Sequence, residues 1–374
     1  MRGPRLPVLL AVVAGLLALA APAMAAPREV PRGFMGAMAD GPLLNPAFDA
    51  PREYDLMVRS GVEAVRMGVP WITMQPAADG PIDFSPVDVV LAQTAPRGLD
   101  VLPVVTFAPA WAARHPGASN SPPEGTENYA RFAEALVRRY GPGGTFWAEN
   151  PSLPARPIRR WQIWNEPNQP VFNWSDQPFA ADYVALLRAA RERIKAVDPG
   201  AKIVLAGLVG TSWRALQTVY RAGGRNLFDL VAIHPFTLDP DNVLVILRRV
   251  RGVMARYRDA RKPMVIGEMT WPAARGQTLT RTYGYETDAR GQAARLAQVL
   301  PELVARRRAF RLQNVFWYTW ISEAPDARND PFSFSGLRQL ERSASVSTRP
   351  ALGVYGRFAR RVEGCRKTTS ALSC

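Results

Sequence analysis

Two glutamates in this chain stand where acids are rarely structural. The first lies in Arg159-Arg160-Trp161-Gln162-Ile163-Trp164-Asn165-Glu166-Pro167-Asn168, a short apolar run that stops at Asn-Glu-Pro. Pro167 cannot donate to a strand ladder and should hold Glu166 extended. The second, Glu268, closes Pro263-Met264-Val265-Ile266-Gly267-Glu268. A carboxyl at a strand tip among tryptophans is partly desolvated, which raises its pKa and leaves it a proton to give. Tryptophan faces also stack on pyranose rings. Two facing carboxylates with several aromatic rings are the equipment for cleaving a glycosidic bond through an oxocarbenium-like transition state. A polar turn after a strand would explain a lone Asn-Glu-Pro as well. A second strand-end glutamate weighs against that.

Glu166 and Glu268 must be brought to one cavity. Eight near-continuously apolar runs read as strands, at 34–38, 62–67, 101–107, 161–164, 203–207, 230–233, 263–266 and 315–320. Buried parallel strands have this character. Helical patterns lie between them at 51–59, from 86 towards Gly98, and at 127–140, 181–197, 242–258 and 288–307, and 351–362 closes the chain. The expected fold class is α/β, a (β/α)8 TIM barrel, with one catalytic domain over 26–362. Active sites of such barrels lie at the C-terminal ends of the strands. The residues there are Arg66, Trp71, Trp111, Asn165, Glu166, His234, Glu268 and Trp320. Trp161, Trp164 and Trp317 are expected in the core, and His115 on the surface.

Other features narrow the partners. Of the 47 basic residues only Lys195, Lys202, Lys262 and Lys367 are lysines, and the net charge is +15. The arginines are spread through every segment. That balance favours anionic surfaces, including an anionic polysaccharide, over acidic proteins. No basic helix, zinc pattern or RNA-binding aromatic motif occurs, so no nucleic-acid partner is expected. The absence of metal-ligand clusters and of a Gly-rich phosphate loop leaves no metal and no cofactor expected. Residues 1–25 read as a signal peptide, with Arg2 and Arg5, an apolar run at 8–21, and Ala23-Met24-Ala25 as the cleavage site. A secreted, periplasmic or cell-envelope monomer follows, with no stable membrane anchor after cleavage. An uncleaved anchor is the alternative, although the run is short for a span. The tail 363–374 carries Cys365 and Cys374, read either as one disulfide or as two thiols.

Asn165-Glu166-Pro167 on the fourth strand, Glu268 on the seventh and Trp320 on the eighth resemble glycoside hydrolase clan A. Within it the chain is similar to family 39 and to related family 5 members, over about residues 33–362. The resemblance implies a retaining mechanism. Glu166 would be the general acid and then the base, and Glu268 the nucleophile. Arg66 would keep Glu268 ionised, unless it pairs with Glu63 instead. Asn165 would bond the sugar 2-hydroxyl, Trp320 would form the floor under the cleaved sugar, and Trp71 and Trp111 would line outer subsites. His234 would line the site or else be a satisfied core histidine. Many clan members carry a tyrosine two residues after that histidine. Here it is Phe236, which leaves Tyr283, Tyr285 or Tyr318 to supply the hydroxyl, or the contact absent. The expected function is hydrolysis of a β-linked oligo- or polysaccharide. A cell-surface glycan transglycosylase and a catalytically silent carbohydrate-binding barrel are the alternatives.

Overall fold

The computed structural model describes residues 27–45, 48–171, 173–325, 330–341, 345–367 and 372–373. The expected signal segment lies outside them, as does Cys374 and with it the expected bridge to Cys365. Eight parallel strands close into a barrel in chain order: β1 (Met35–Met38), β2 (Ala64–Pro70), β3 (Asp100–Thr106), β4 (Arg160–Ile163), β5 (Lys202–Val209), β6 (Leu230–His234), β7 (Met264–Met269) and β8 (Leu312–Trp317). Helices return the chain outside it: α1 (Ala50–Arg59), a single turn α2 (Trp71–Met74), α3 (Ser85–Thr94), α4 (Glu127–Tyr140), the short α5 (Thr145–Glu149), α6 (Ala180–Val197), α7 (Ser212–Arg221), α8 (Pro240–Arg256), α9 (Ala289–Phe310) and α10 (Pro350–Val362). No described helix is long and apolar enough to cross a membrane.

Three features depart from the sequence reading. The β5–β6 connection contains α7, whose own pattern was not singled out. β8 stops at Trp317, three residues before the expected end. After it a small sheet forms from β9 (Ile321–Ser322), β10 (Arg338–Leu340) and β11 (Val346–Thr348). Tyr318 therefore stands at the tip of β8, and Trp320 lies beyond it.

The core has two parts. The larger lies between strands and helices, and the smaller fills the barrel with Ala64, Leu102, Val204, Leu230, Ala232, Val265 and Phe316. Strand side chains alternate between faces. Ala64 inside thus puts Arg66 inside one layer higher, and Ala232 does the same for His234. On β7 strict alternation from Val265 would send Gly267 inward and Glu268 outward. A register shift between Ile266 and Met269 breaks the alternation there. Such irregularities re-aim side chains beside functional sites. Another shift, between Leu205 and Leu208, flanks Gly207 on β5.

Candidate active site

Arg66 is the hub of the barrel mouth. It is 1 % exposed, and all three guanidinium nitrogens are engaged. Nε donates to Gln162 Oε1 at 3.2 Å, Nη1 to Glu268 Oε1 at 2.7 Å, and Nη2 to Asn165 Oδ1 at 2.7 Å. The alternative pairing with Glu63 does not form, because Glu63 is bound by Arg28. A desolvated charge is tolerated when it is paired and its donors are satisfied. Here one cation fixes groups from β4 and β7.

Glu166 is held by its backbone as much as by its side chain. Trp164 and Glu166 have φ of +65° and +43°, a left-handed region that non-glycine residues seldom occupy. The expectation of an extended Glu166 is corrected here. Its N–H is captured by the Gly207 carbonyl at 3.1 Å while Trp164 N–H bonds Val105 O at 2.9 Å, and these contacts override the bias from Pro167. Strain of this kind costs about 1–3 kcal/mol per residue and persists where surrounding contacts over-determine it.

His234 joins the acids. Its Nδ1 lies 2.5 Å from Glu166 Oε1 and its Nε2 3.4 Å from Arg66 Nη2. Arginine only donates, so Nε2 accepts and Nδ1 carries the proton, which it donates to Glu166. Asn173 Nδ2 donates to the other oxygen, Glu166 Oε2, at 3.1 Å. Burial pushes His234 down to about 3, with Glu268 opposing and Arg66 adding to the fall, so the ring is neutral near pH 7. Burial pushes Glu166 up to about 7 against the pull of Arg66. Two glycines make room for the imidazole. A Cβ on Gly207 would sit 1.9 Å from His234 Nε2, and one on Gly267 2.8 Å from it.

One ligand atom each from Glu166, His234 and Glu268 lies within 4.8 Å of the others. These are metal-ligand types. The Arg66 guanidinium already neutralises Glu268, however, and a second cation beside it would be repelled.

The aromatic residues divide. Trp161, Trp164 and Trp317 are buried, as expected, and His115 is exposed and paired with Asp176. Trp71 and Trp320 are also fully buried, which corrects the expectation that they present faces to a sugar. Trp71 stacks on Phe132, and its Nε1 bonds Gln75. Trp320 Nε1 donates to Glu53 Oε2 at 2.9 Å, and Glu53 is clamped by Arg338 of β10. The small sheet thus helps hold Trp320 in the core through Glu53. Trp111 is half-buried against the edge of Trp71.

Other residues complete the mouth. Tyr318, one of the three tyrosines expected as a hydroxyl source, is half-buried at the β8 tip, where it feels the fields of both glutamates. Asp40, Gln162 and Asn173 were not anticipated. Asp40, just past β1, accepts from Thr319 Oγ1 at 2.9 Å, and burial raises its pKa. Gln162 and Asn173 hold Arg66 and Glu166. Gln162 had a signal, as a polar residue inside an apolar strand. Asn173 had none, because it lies in a loop.

Eight parallel strands closed in chain order with helices outside them make this a (β/α)8 barrel. No family model and no curated protein matches the sequence. Solved structures do match by shape. A family 39 glycoside hydrolase from Bacteroides cellulosilyticus superposes with TM-score 0.67 at 19 % identity, over 90 % of this chain and 65 % of that one, so this chain spans under two thirds of that enzyme. A monomeric β-xylosidase from Caulobacter crescentus gives 0.63 at 18 % identity, over 88 % of this chain and 69 % of that one. A family 53 glycoside hydrolase catalytic domain from Ignisphaera aggregans gives 0.58 at 20 % identity, over 91 % and 99 %. At these identities the likeness establishes the fold.

Proposed function

We propose that this protein is a retaining β-glycosidase that hydrolyses a β-linked oligo- or polysaccharide, exported by its N-terminal segment. The observation that carries this reading is the approach of Glu166 and Glu268 across the barrel mouth, where one carboxylate oxygen of each lies within 4.8 Å of the other. Retaining enzymes hold their carboxyl groups about 5–5.5 Å apart, whereas inverting ones leave about 6.5–9.5 Å for a water.

Each group then has a role. Glu268, paired with Arg66, attacks the anomeric carbon and forms a covalent glycosyl ester. Glu166 gives its proton to the departing glycosidic oxygen. Oε1 takes the short bond from His234, so Oε2 is the oxygen that carries the transferable proton. Water then yields a proton to Glu166, attacks the anomeric carbon, and releases Glu268 as a carboxylate. Neutral His234 stays a donor throughout and steadies Glu166 in both roles. Arg66 occupies Asn165 Oδ1, and in this reading the Asn165 amide N–H is the donor to the sugar 2-hydroxyl. A bond there strengthens as charge develops in the transition state. In this reading Tyr318, half-buried at the β8 tip, serves as the floor under the cleaved sugar, the role expected of Trp320.

The test compares wild type and Glu268→Gln on a panel of β-glycans, with products read by mass spectrometry. Shorter oligosaccharides from wild type alone support the reading. No difference across the panel would favour a silent carbohydrate-binding barrel.

A further inference from the structure

Four charged side chains meet around a cavity at the face of the barrel opposite the catalytic acids. Asp100 and Arg160 are the first residues of β3 and β4, and Glu166 lies past the other end of β4. Active sites of such barrels occupy the C-terminal face, so a cavity at the strand starts stands apart from the chemistry. Its volume is about 330 Å³, at the small end of ligand pockets, and its wall includes Asp100, Arg156, Arg159 and Arg160.

The arginines are held in place with donors to spare. Arg160 shares the face of Gln162, two residues on, and so points into the barrel. Its Nη1 donates to Asn314 Oδ1 of β8 at 2.6 Å, and Asn314 Nδ2 donates in turn to the Gly33 carbonyl. Among the described residues nothing bonds Arg160 Nε or Nη2. Arg156 Nη2 pairs with Asp100, while its Nε is buried without a partner. Arg159 is exposed and has no ion pair among the described residues. Burial pulls the Arg160 guanidinium below its usual range, although Asp100 opposes the fall. A cation desolvated in this way gains from a further anion beside it.

The segment that carries Arg156 is stiff. Pro154 and Pro157 restrict its backbone. Ile158 is buried and donates its N–H to Tyr140 O at 2.9 Å, and Arg159 O accepts from Lys202 N–H at 2.7 Å. The donors therefore stand ready before any ligand arrives, which lowers the ordering cost of binding.

The mixture of groups selects a ligand class. Three arginines against one aspartate leave an excess of two positive charges, and guanidinium groups match carboxylates and phosphates. Asp100 repels a doubly charged phosphate. Its Oδ1 is taken by Arg156, and its Oδ2, unbonded among the described residues, accepts from hydroxyl groups. Pro157 and Ile158 add apolar surface, and the cavity is far larger than a bare inorganic anion. A ring that carries one carboxylate, several hydroxyls and an apolar edge answers all of these.

We propose that this cavity binds a uronic acid unit of an anionic polysaccharide, away from the catalytic acids. The sugar carboxylate takes the spare donors of Arg156 and Arg160 with Arg159 beside them, and ring hydroxyls donate to Asp100. A second hold on such a polymer keeps the protein on it between encounters at the barrel mouth. The site uses neither Glu166 nor Glu268, so it does not rest on the retaining glycosidase reading.

The experiment titrates the full chain with methyl glucuronoside and methyl galacturonoside by calorimetry, with methyl glucoside and inorganic phosphate as comparison probes. A uronoside should bind saturably. Its affinity should fall roughly tenfold or more in Arg156→Ala and in Arg159→Ala, the loss of one charge-assisted bond each. Glu268→Gln should bind it as the wild type does, which separates this cavity from the barrel mouth. Melting curves check that each variant is folded, and exposed Arg159 gives a reading independent of packing. The uronate site is overturned by no saturable binding of either uronoside, or by equal binding of the glucoside or of phosphate. Affinity unchanged in both arginine variants, or lost in Glu268→Gln, overturns it as well. The product assay on β-glycans decides the glycosidase reading separately.

Discussion

His234 Nδ1 stands 2.5 Å from Glu166 Oε1, and the neutral imidazole donates to the acid. Two residues 68 positions apart, one at the end of β6 and one just past β4, therefore act as one unit. The pH behaviour of the protein follows from that contact and from its burial.

Activity should be lost on the alkaline side as Glu166 gives up its proton. With Glu166 at about 7, kcat/KM should fall above that pH. His234→Leu removes a donor that favours the ionised carboxylate, so the alkaline limb should move to higher pH, with kcat down roughly 100-fold. A pH–rate profile of both proteins checks this. An unmoved limb would show that His234 does not act on Glu166.

Stability should respond to the same groups with opposite signs. Glu166 rises from 4.5 to about 7 on folding, so the native state binds the extra proton between those values and loses about 3 kcal/mol as pH rises through them. His234 falls from 6.5 to about 3, so the unfolded state binds the extra proton there. That contribution is intact above 6.5 and is lost as pH falls towards 3, on the order of 4–5 kcal/mol. Denaturant unfolding across pH, compared with Glu166→Gln and His234→Gln, should show each slope flattened in its own variant.

Arg66→Met should cost about 3–5 kcal/mol of stability, because it strands Glu268 without its cation in a buried site. Activity should drop far more than the folded fraction does. A folded Arg66→Met protein with wild-type kcat would refute the role given to the ion pair.

Gly207→Ala should collide with the imidazole. Its Cβ would lie 1.9 Å from Nε2, so His234 must leave its place. We expect a loss of about 1–3 kcal/mol and near-complete loss of activity. Gly252→Ala is the control. It lies inside α8 with nothing near its new Cβ, and should stabilise by up to about 1 kcal/mol with activity unchanged. Thermal melts and assays of the two variants separate the effects.

Trp320 and Tyr318 should behave differently. Trp320→Phe loses the bond to Glu53 and should lower stability by about 1 kcal/mol without a specific effect on KM. Tyr318→Ala should raise KM for a glycan substrate with little loss of stability. The reverse pattern would restore the floor to Trp320.

Much of this arrangement was legible in the chain. Near-continuous apolar runs bounded by breakers mark buried parallel strands, and an acid just past such a run stands at the barrel mouth. Glu166, Glu268, Arg66, Asn165 and His234 were found that way. The tryptophans were not separable. Trp317-Tyr318-Thr319-Trp320 is aromatic at three of four positions, and moving the strand end by three residues changes which ring faces the cavity.

The sequence alone determined the barrel and put both glutamates at its mouth, because strand burial and strand ends are local properties of the pattern. Only the tertiary structure decided how those acids face each other. The register shift on β7 turns Glu268 inward, Gly207 opens the space that His234 fills, and Arg66 reaches Glu268 across 202 positions. Each depends on closing the barrel, where strand register and close packing act on residues remote in the chain.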